Sequence, residues 1–288
     1  MNTKSFILDD KLQRLVNLAK NQKVPNLSDS RMVLGCTDLT SLTGQETEML
    51  IEMLCAKAAI LHTGSVCVFP EFVKSSYNYL QGTGVNTATV INFPDGHHRT
   101  RINEIATPES VEIDVKRAIE MRAGQVDIVL DYEHMAGGHA KKLLKAARKA
   151  CPEDVTLMVI VESASYKTAE DLSAACSLAI SAGVDFLKTS TGKHSSGGAT
   201  PEAVAVMLQA IKDSKRDVGI KITGGVKDLS DCLPYMYMFR HFFGWDSIRF
   251  DRFRIGASGM VDNIIRNKLN LVPANSITPN DPAMQAYS

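Results

Sequence analysis

The sequence carries no surplus charge of either sign. In 288 residues, 32 Lys and Arg stand against 32 Asp and Glu, and the formal net charge is zero. That balance argues against a general nucleic-acid binder and against a membrane-surface binder, since both rely on clustered positive charge. No apolar run reaches about 18 residues, so no spanning helix is predicted. The opening stretch MNTKSFILDDKLQRL has acids where a secretory apolar core would stand, and export is not expected. The six cysteines (Cys36, Cys55, Cys67, Cys151, Cys176, Cys232) form no CxxC pair and no compact framework. They read as reduced thiols of a cytoplasmic enzyme. Linkers, low-complexity tracts and like-charge blocks are also missing. The expectation is therefore one domain over 1–288, with a polar N-terminal extension (1–30, one helix at 8–20) and an irregular, proline-containing tail (271–288).

What is present is a large apolar fraction, 44% of residues, enough for a sizeable core and incompatible with wholesale disorder. Short β-branched runs at 33–37, 65–69, 87–93, 125–130, 155–161, 184–190, 218–223 and 253–257 predict strands. Amphipathic stretches predict helices at 45–60, 110–123, 137–150, 168–182, 201–214, 228–242 and 258–269. Thr107-Pro108 and Thr200-Pro201 are helix-start signals, a capping hydroxyl followed by a proline in the first turn. Strands alternating with helices make a (β/α)8 TIM barrel the economical architecture, with a doubly wound α/β sheet as the runner-up.

In such a barrel the chemistry sits at strand C-terminal ends and the loops after them. Three in-strand ionisable residues fall there: Asp127 in strand 4, Lys188 in strand 6 and Lys221 in strand 7. A lysine in an apolar strand is unfavourable unless paired or neutral. Two on adjacent strands are expected to weaken each other's hold on a proton, and only a neutral amine attacks a carbonyl. Glycine turns follow the last three strands: Thr191-Gly192-Lys193, Gly224-Gly225, and Gly256-Ala257-Ser258-Gly259 running into a helix. Backbone amides at such turns bind phosphate. The implied ligand is a phosphorylated carbonyl compound.

At these residues the sequence resembles the deoxyribose-phosphate aldolases, Schiff-base aldolases of class I built on a (β/α)8 barrel. The likeness runs from about residue 38 to about 265. It is carried by Asp38-Leu39-Thr40, Val66 to Pro70, Thr89 to Pro94, Val126 to Val129, Phe186 to Gly192, Lys221 with Gly224-Gly225, and Arg254 to Ser258. The resemblance implies that Lys188 is the Schiff-base lysine, Lys221 the second lysine that perturbs it, and Asp127 the carboxylate of the proton relay. It implies that Thr191, Gly192, Lys193, Gly224, Gly225, Ser258 and Gly259 hold the substrate and its phosphate, and that Tyr287 shuttles a proton from the tail. The implied reaction is cleavage of 2-deoxyribose 5-phosphate to acetaldehyde and glyceraldehyde 3-phosphate, and its reverse, without metal or cofactor. Two other readings stay open: a related lysine aldolase for another phosphorylated aldehyde, and a non-catalytic sugar-phosphate binder. The expected partners are a small phosphorylated sugar and acetaldehyde, with no nucleic acid and no membrane. A homodimer is an assembly that such barrels often adopt.

The sequence departs from the family pattern at Met158, where a lysine is common, and at Gly259, where a second serine is common. Leu130-Asp131-Tyr132-Glu133-His134 is also unlike the usual segment. His97-His98 and His134 with His139 show no compact ligand set and read as solvated loop histidines. Cys67 reads as core packing, and the Tyr235 to Phe243 run as a helix face packed on the barrel or on a second subunit.

Overall fold

A computed structural model describes residues 6–22, 27–97, 105–195 and 197–267. Tyr287, the rest of the tail, and His98 lie outside them. After α1 (Asp10–Lys20) and α2 (Leu27–Gly35) come β1 (Thr37–Thr40), α3 (Glu48–Leu61), β2 (Ser65–Val68), α4 (Val73–Leu80), β3 (Asn86–Ile91), α5 (Pro108–Glu120) and β4 (Gln125–Val129). The second half runs α6 (His139–Ala150), β5 (Thr156–Ile160), α7 (Ala169–Ser181), β6 (Phe186–Lys188), α8 (Pro201–Ser214), β7 (Gly219–Thr223), α9 (Leu229–Phe243), β8 (Phe253–Ala257) and α10 (Gly259–Asn267). All eight strands pair in parallel, in chain order, and β1 closes on β8. The architecture is the (β/α)8 barrel.

The helix starts follow the expected chemistry. Thr107 caps α5 by accepting from Ser110 N–H, and Ser110 Oγ accepts from Thr107 N–H in return, with Pro108 in the first turn. Thr200 caps α8 by accepting from Ala203 N–H, ahead of Pro201.

Two elements differ from the sequence reading. Residues 33–35 close helix α2 instead of opening a strand, and β1 begins at Thr37. The backbone N–H of Cys36 donates to Met32 and Val33 carbonyls, and Thr37 Oγ1 donates to Val33 O, so the apolar run finishes a helical turn. A short buried run carries no period that separates the two states. Helix α4 is not expected from the sequence, because VKSSYNYL is poor in strong helix formers. Packing on α3 and β3 forms it.

Core residues fall into two sets. The larger lies between sheet and helices. The smaller (Leu42, Cys67, Phe69, Ala88, Val90, Phe93, Val129, Ile160) lines the barrel interior on the β2 to β5 side. All six cysteines are free and buried. Burial pushes the Cys67 thiol up to about 11, which keeps it an apolar wall group.

The Tyr235 to Phe243 run packs inward. Phe239 is fully buried, with its ring 5.3 Å from Phe253 of β8 and 4.8 Å from Phe243. Phe239→Ala should therefore lower stability by about 3–5 kcal/mol, read as a fall in the urea unfolding midpoint at unchanged slope. A loss within experimental error would mean that α9 is not clamped to β8 through this ring.

Candidate active site

Strand alternation sends every second residue into the barrel. The strand register then decides which inward groups meet. Lys188 of β6 and Lys221 of β7 are direct partners across the ladder, and Lys221 is next in register to Arg254 of β8. Asp38 projects from β1 and Asp127 from β4. The result is a buried charge cluster in which Lys188, Lys221, Asp38, Asp127 and Arg254 are all nearly or fully inaccessible.

Its geometry is tight. Lys188 Nζ donates to Asp127 Oδ2 at 2.9 Å, and Lys221 Nζ donates to the same oxygen at 2.8 Å. Lys221 Nζ also lies 2.5 Å from Asp38 Oδ2. Gln125, two residues before Asp127 on the same face of β4, donates to Asp38 Oδ2 at 3.0 Å and to Asp127 Oδ1 at 2.7 Å. The Arg254 guanidinium donates to Gln125 Oε1 and stands 3.8 Å from Asp38 Oδ1. Its cation is sandwiched by the Phe250 and Phe186 rings, at 3.7 and 4.6 Å from their centroids.

Burial pushes the Asp127 carboxyl upward, but the ammonium groups of Lys188 and Lys221 outweigh it and hold the group well below the carboxylate range. Asp38 behaves alike: burial opposes ionisation, and Lys221 and Arg254 overcome it. For Lys221 burial favours the neutral amine, yet Asp127 and Asp38 together raise its proton affinity above that of a free lysine. The sequence reading had each lysine weakening the other's hold on a proton. For Lys221 this is corrected, because two carboxylates face it where one lysine neighbour was counted.

The mouth loops after β6, β7 and β8 lie side by side. Gly198 packs directly on Gly224: a Cβ on Gly224 would sit 2.7 Å from Gly198 Cα, and Gly224 takes a left-handed φ of +84°. Ala199 N–H donates to the carbonyls of Thr223 and Gly224 at 3.2 and 3.1 Å, which fixes the β6 loop over the β7 loop. Thr191 is buried, with N–H and hydroxyl both donating to Glu162 Oε2 at 3.0 and 2.6 Å, and its Oγ1 accepts from Lys193 N–H at 3.1 Å. Gly192, Lys193, Gly225, Ser258 and Gly259 are solvent-facing, and Gly259 opens α10.

The structure thus joins Lys188, Lys221 and Asp127 by hydrogen bonds and sets Thr191, Gly192, Lys193, Gly224, Gly225, Ser258 and Gly259 on three adjacent loops. Tyr287 is not among the described residues. Sequence reasoning gave no role to Asp38, Gln125, Arg254 or Glu162. Asp38 lay outside the strand placed at 33–37. Gln125 and Arg254 could have been found, as in-strand polar residues in phase with Asp127 and beside Lys221.

The cluster should govern acid stability. Asp38 and Asp127 have lowered folded-state pKa values, so their contribution is full above the free value of about 4 and is lost as pH falls below it. Removing one member of a buried pair costs about 3–5 kcal/mol, so Asp38→Asn should lose that much in urea unfolding at pH 7. The gap to the parent protein should narrow as pH falls below about 4, where Asp38 gains its proton first in the unfolded chain and only at lower pH in the folded one. A gap independent of pH would show that Asp38 acts by packing alone.

Comparison with known proteins bears on the fold and the family. The sequence profile of the DeoC/LacD family aldolases matches residues 32–235. Among solved structures, a candidate deoxyribose-phosphate aldolase from Coccidioides immitis is 27% identical, with a TM-score of 0.70 over 89% of this chain and 97% of its own. A second from Toxoplasma gondii ME49 is 23% identical, with a TM-score of 0.73 over 82% and 92%. The tetrameric deoxyribose phosphate aldolase of Aeropyrum pernix is 19% identical, with a TM-score of 0.70 over 90% and 99%. The last two are similar in fold. With most of the barrel matched by the profile, the chain belongs to the DeoC/LacD aldolase family and is a carbon–carbon lyase.

Proposed function

We propose that this aldolase cleaves 2-deoxy-D-ribose 5-phosphate reversibly to D-glyceraldehyde 3-phosphate and acetaldehyde, through a Schiff base on Lys188. The observation that carries the reading is the pair of in-register lysines sharing one oxygen of Asp127, at 2.9 and 2.8 Å. The cluster sets three cationic side chains against two carboxylates. A buried excess of positive charge is relieved when one lysine reacts as its neutral amine. A guanidinium offers no amine nucleophile, and Lys221 is clamped by both Asp38 and Asp127. Lys188, with a single carboxylate partner, is left as the nucleophile.

In the cleavage direction, Lys188 Nζ adds to the aldehyde carbon of the open-chain sugar, and loss of water gives a protonated imine. A base removes the proton of the 3-hydroxyl, the bond between carbons 2 and 3 breaks, and its electron pair flows to the iminium nitrogen. Glyceraldehyde 3-phosphate departs and leaves an enamine. Protonation of the enamine carbon and hydrolysis of the imine release acetaldehyde and restore Lys188. The iminium is the electron sink, so the chemistry requires no metal. Lys221 as ammonium and Asp127 as carboxylate are a ready donor and acceptor beside the reacting nitrogen. The apolar wall of Cys67, Ala88, Val90, Val129 and Ile160 faces the lysines and keeps water from the iminium. Lys193 and the backbone amides around Gly192, Gly224, Gly225 and Ser258-Gly259 form the phosphate clamp.

Borohydride added with acetaldehyde should fix one ethyl group on Lys188, detected by peptide mass spectrometry, and Lys188→Met should lose at least about 10³-fold in kcat. An adduct elsewhere, or none, rejects the mechanism. Deoxyribose 5-phosphate should be cleaved far faster than ribose 5-phosphate or free deoxyribose. Equal rates with the unphosphorylated sugar would remove the phosphate clamp.

A further inference from the structure

The loop after β3 and the loop after β4 meet at the barrel mouth and bring His97 of the first to Asp131 and His134 of the second. Gly96 makes the approach possible. It has a φ of +88°, and a Cβ there would lie 2.9 Å from Leu130 O and 3.0 Å from Asp131 Cα, so backbone rests on backbone. Gly96 N–H donates to Asn92 O at 2.8 Å, and His97 N–H donates to Asp95 Oδ1 at 3.1 Å. These bonds hold His97 beside Asp131.

Asp131 is a buried carboxylate at 1% exposure. Its Oδ1 accepts from His134 N–H at 3.2 Å and lies 2.9 Å from His134 Nδ1. Its Oδ2 has no hydrogen-bond partner, and His97 Nε2 is likewise buried without one. His139 Nε2 stands 3.9 Å from Oδ2 but is engaged with Ala106 O at 3.0 Å. One ring nitrogen from each of His97 and His134 and one oxygen of Asp131 all lie within 4.8 Å of one another.

We propose that His97, Asp131 and His134 form a binding site for a divalent transition-metal ion of the zinc class. Two imidazoles and a carboxylate are a borderline donor set that selects such ions over Mg²⁺ or Ca²⁺. Tetrahedral coordination at about 2.0–2.1 Å brings ligand atoms to about 3.3 Å from one another. The exposed side chain of His134 can supply that contraction, and it leaves a fourth position to water. A cation there satisfies the unpartnered oxygen of Asp131 and the unpartnered nitrogen of His97, two buried polar atoms that are otherwise destabilising. The ion would pin the β3 loop to the β4 loop. Tyr132, adjacent to Asp131, sets its ring edge-on to His194 of the β6 loop at 5.7 Å, so the brace reaches the rim around the lysines. The site is independent of which aldehyde the barrel cleaves and supplies nothing to the iminium chemistry. Sequence reasoning set these histidines aside because Asp131, the carboxylate that joins them, follows His97 by 34 positions and is adjacent only in space.

The test uses the full chain, stripped with chelator and dialysed against Zn²⁺ or Co²⁺. The parent protein should retain one equivalent. His97→Ala and His134→Ala should each weaken binding by at least about 10-fold, the loss that even an outer-sphere partner causes. The Co²⁺ protein should show visible ligand-field bands without a thiolate charge-transfer band, and bound Zn²⁺ should raise the melting temperature of the parent but not of the His97→Ala, His134→Ala double variant. Both histidines lie in loops, and the metal-free melting temperature checks that the variants fold. Absence of binding to the parent, undiminished binding in the double variant, or a thiolate band overturns the proposal. If His134 merely pairs with Asp131 as an imidazolium, His97→Ala leaves metal behaviour unchanged, which also overturns it.

Discussion

A single carboxylate oxygen organises the interior of this barrel. Asp127 Oδ2 receives hydrogen bonds from two buried lysines on neighbouring strands, and Asp38, Gln125 and Arg254 complete the charge balance around them. Taken alone, two ammonium groups in a low-dielectric cavity would repel and discharge. Asp38 adds a second negative charge against Lys221, Gln125 bridges the two carboxylates, and Arg254 is held by Gln125 and by two aromatic faces. The lysines therefore end unequal: one is gripped by two carboxylates, the other by one. In a Schiff-base reading, that inequality assigns nucleophile and proton donor.

The barrel register is what makes the inequality possible. Because β6 pairs with β7 so that Lys188 faces Lys221, and β8 adds Arg254 beside Lys221, the cations line up on one wall. The carboxylates arrive from β1 and β4, elements close to opposite in the ring, and reach across the interior. Strands β2, β3 and β5 offer apolar groups instead, including the protonated thiol of Cys67 and the Met158 side chain. Met158 Sδ lies 3.4 Å from Gln125 Nε2, a weak contact that leaves the network to the carboxylates, Gln125 and the three cations.

Much of this was legible from pattern. In-strand charges at 127, 188 and 221 are conspicuous against β-branched neighbours, and glycine turns follow three successive strands. Capping signals at Thr107 and Thr200 located helix starts to within a residue or two. What escaped was governed by contacts that no local pattern encodes. Helix α4 is built from weak helix formers and exists because α3 and β3 cover it. The run at 33–35 is apolar and short enough to suit either state, and placing a strand there left Asp38 outside it, without an electrostatic role.

The sequence by itself determined the alternation of strand and helix, and hence the barrel, because period and capping are local properties of the chain. It also placed the ionisable residue types within the strands. Only the tertiary structure decided their electrostatic partners. The charge on Lys221 depends on Asp38, 183 residues away, and the pairing of His97 with His134 depends on a glycine that lets two loops touch. Coulomb energy and desolvation follow distance in space, which strand register sets and sequence separation does not.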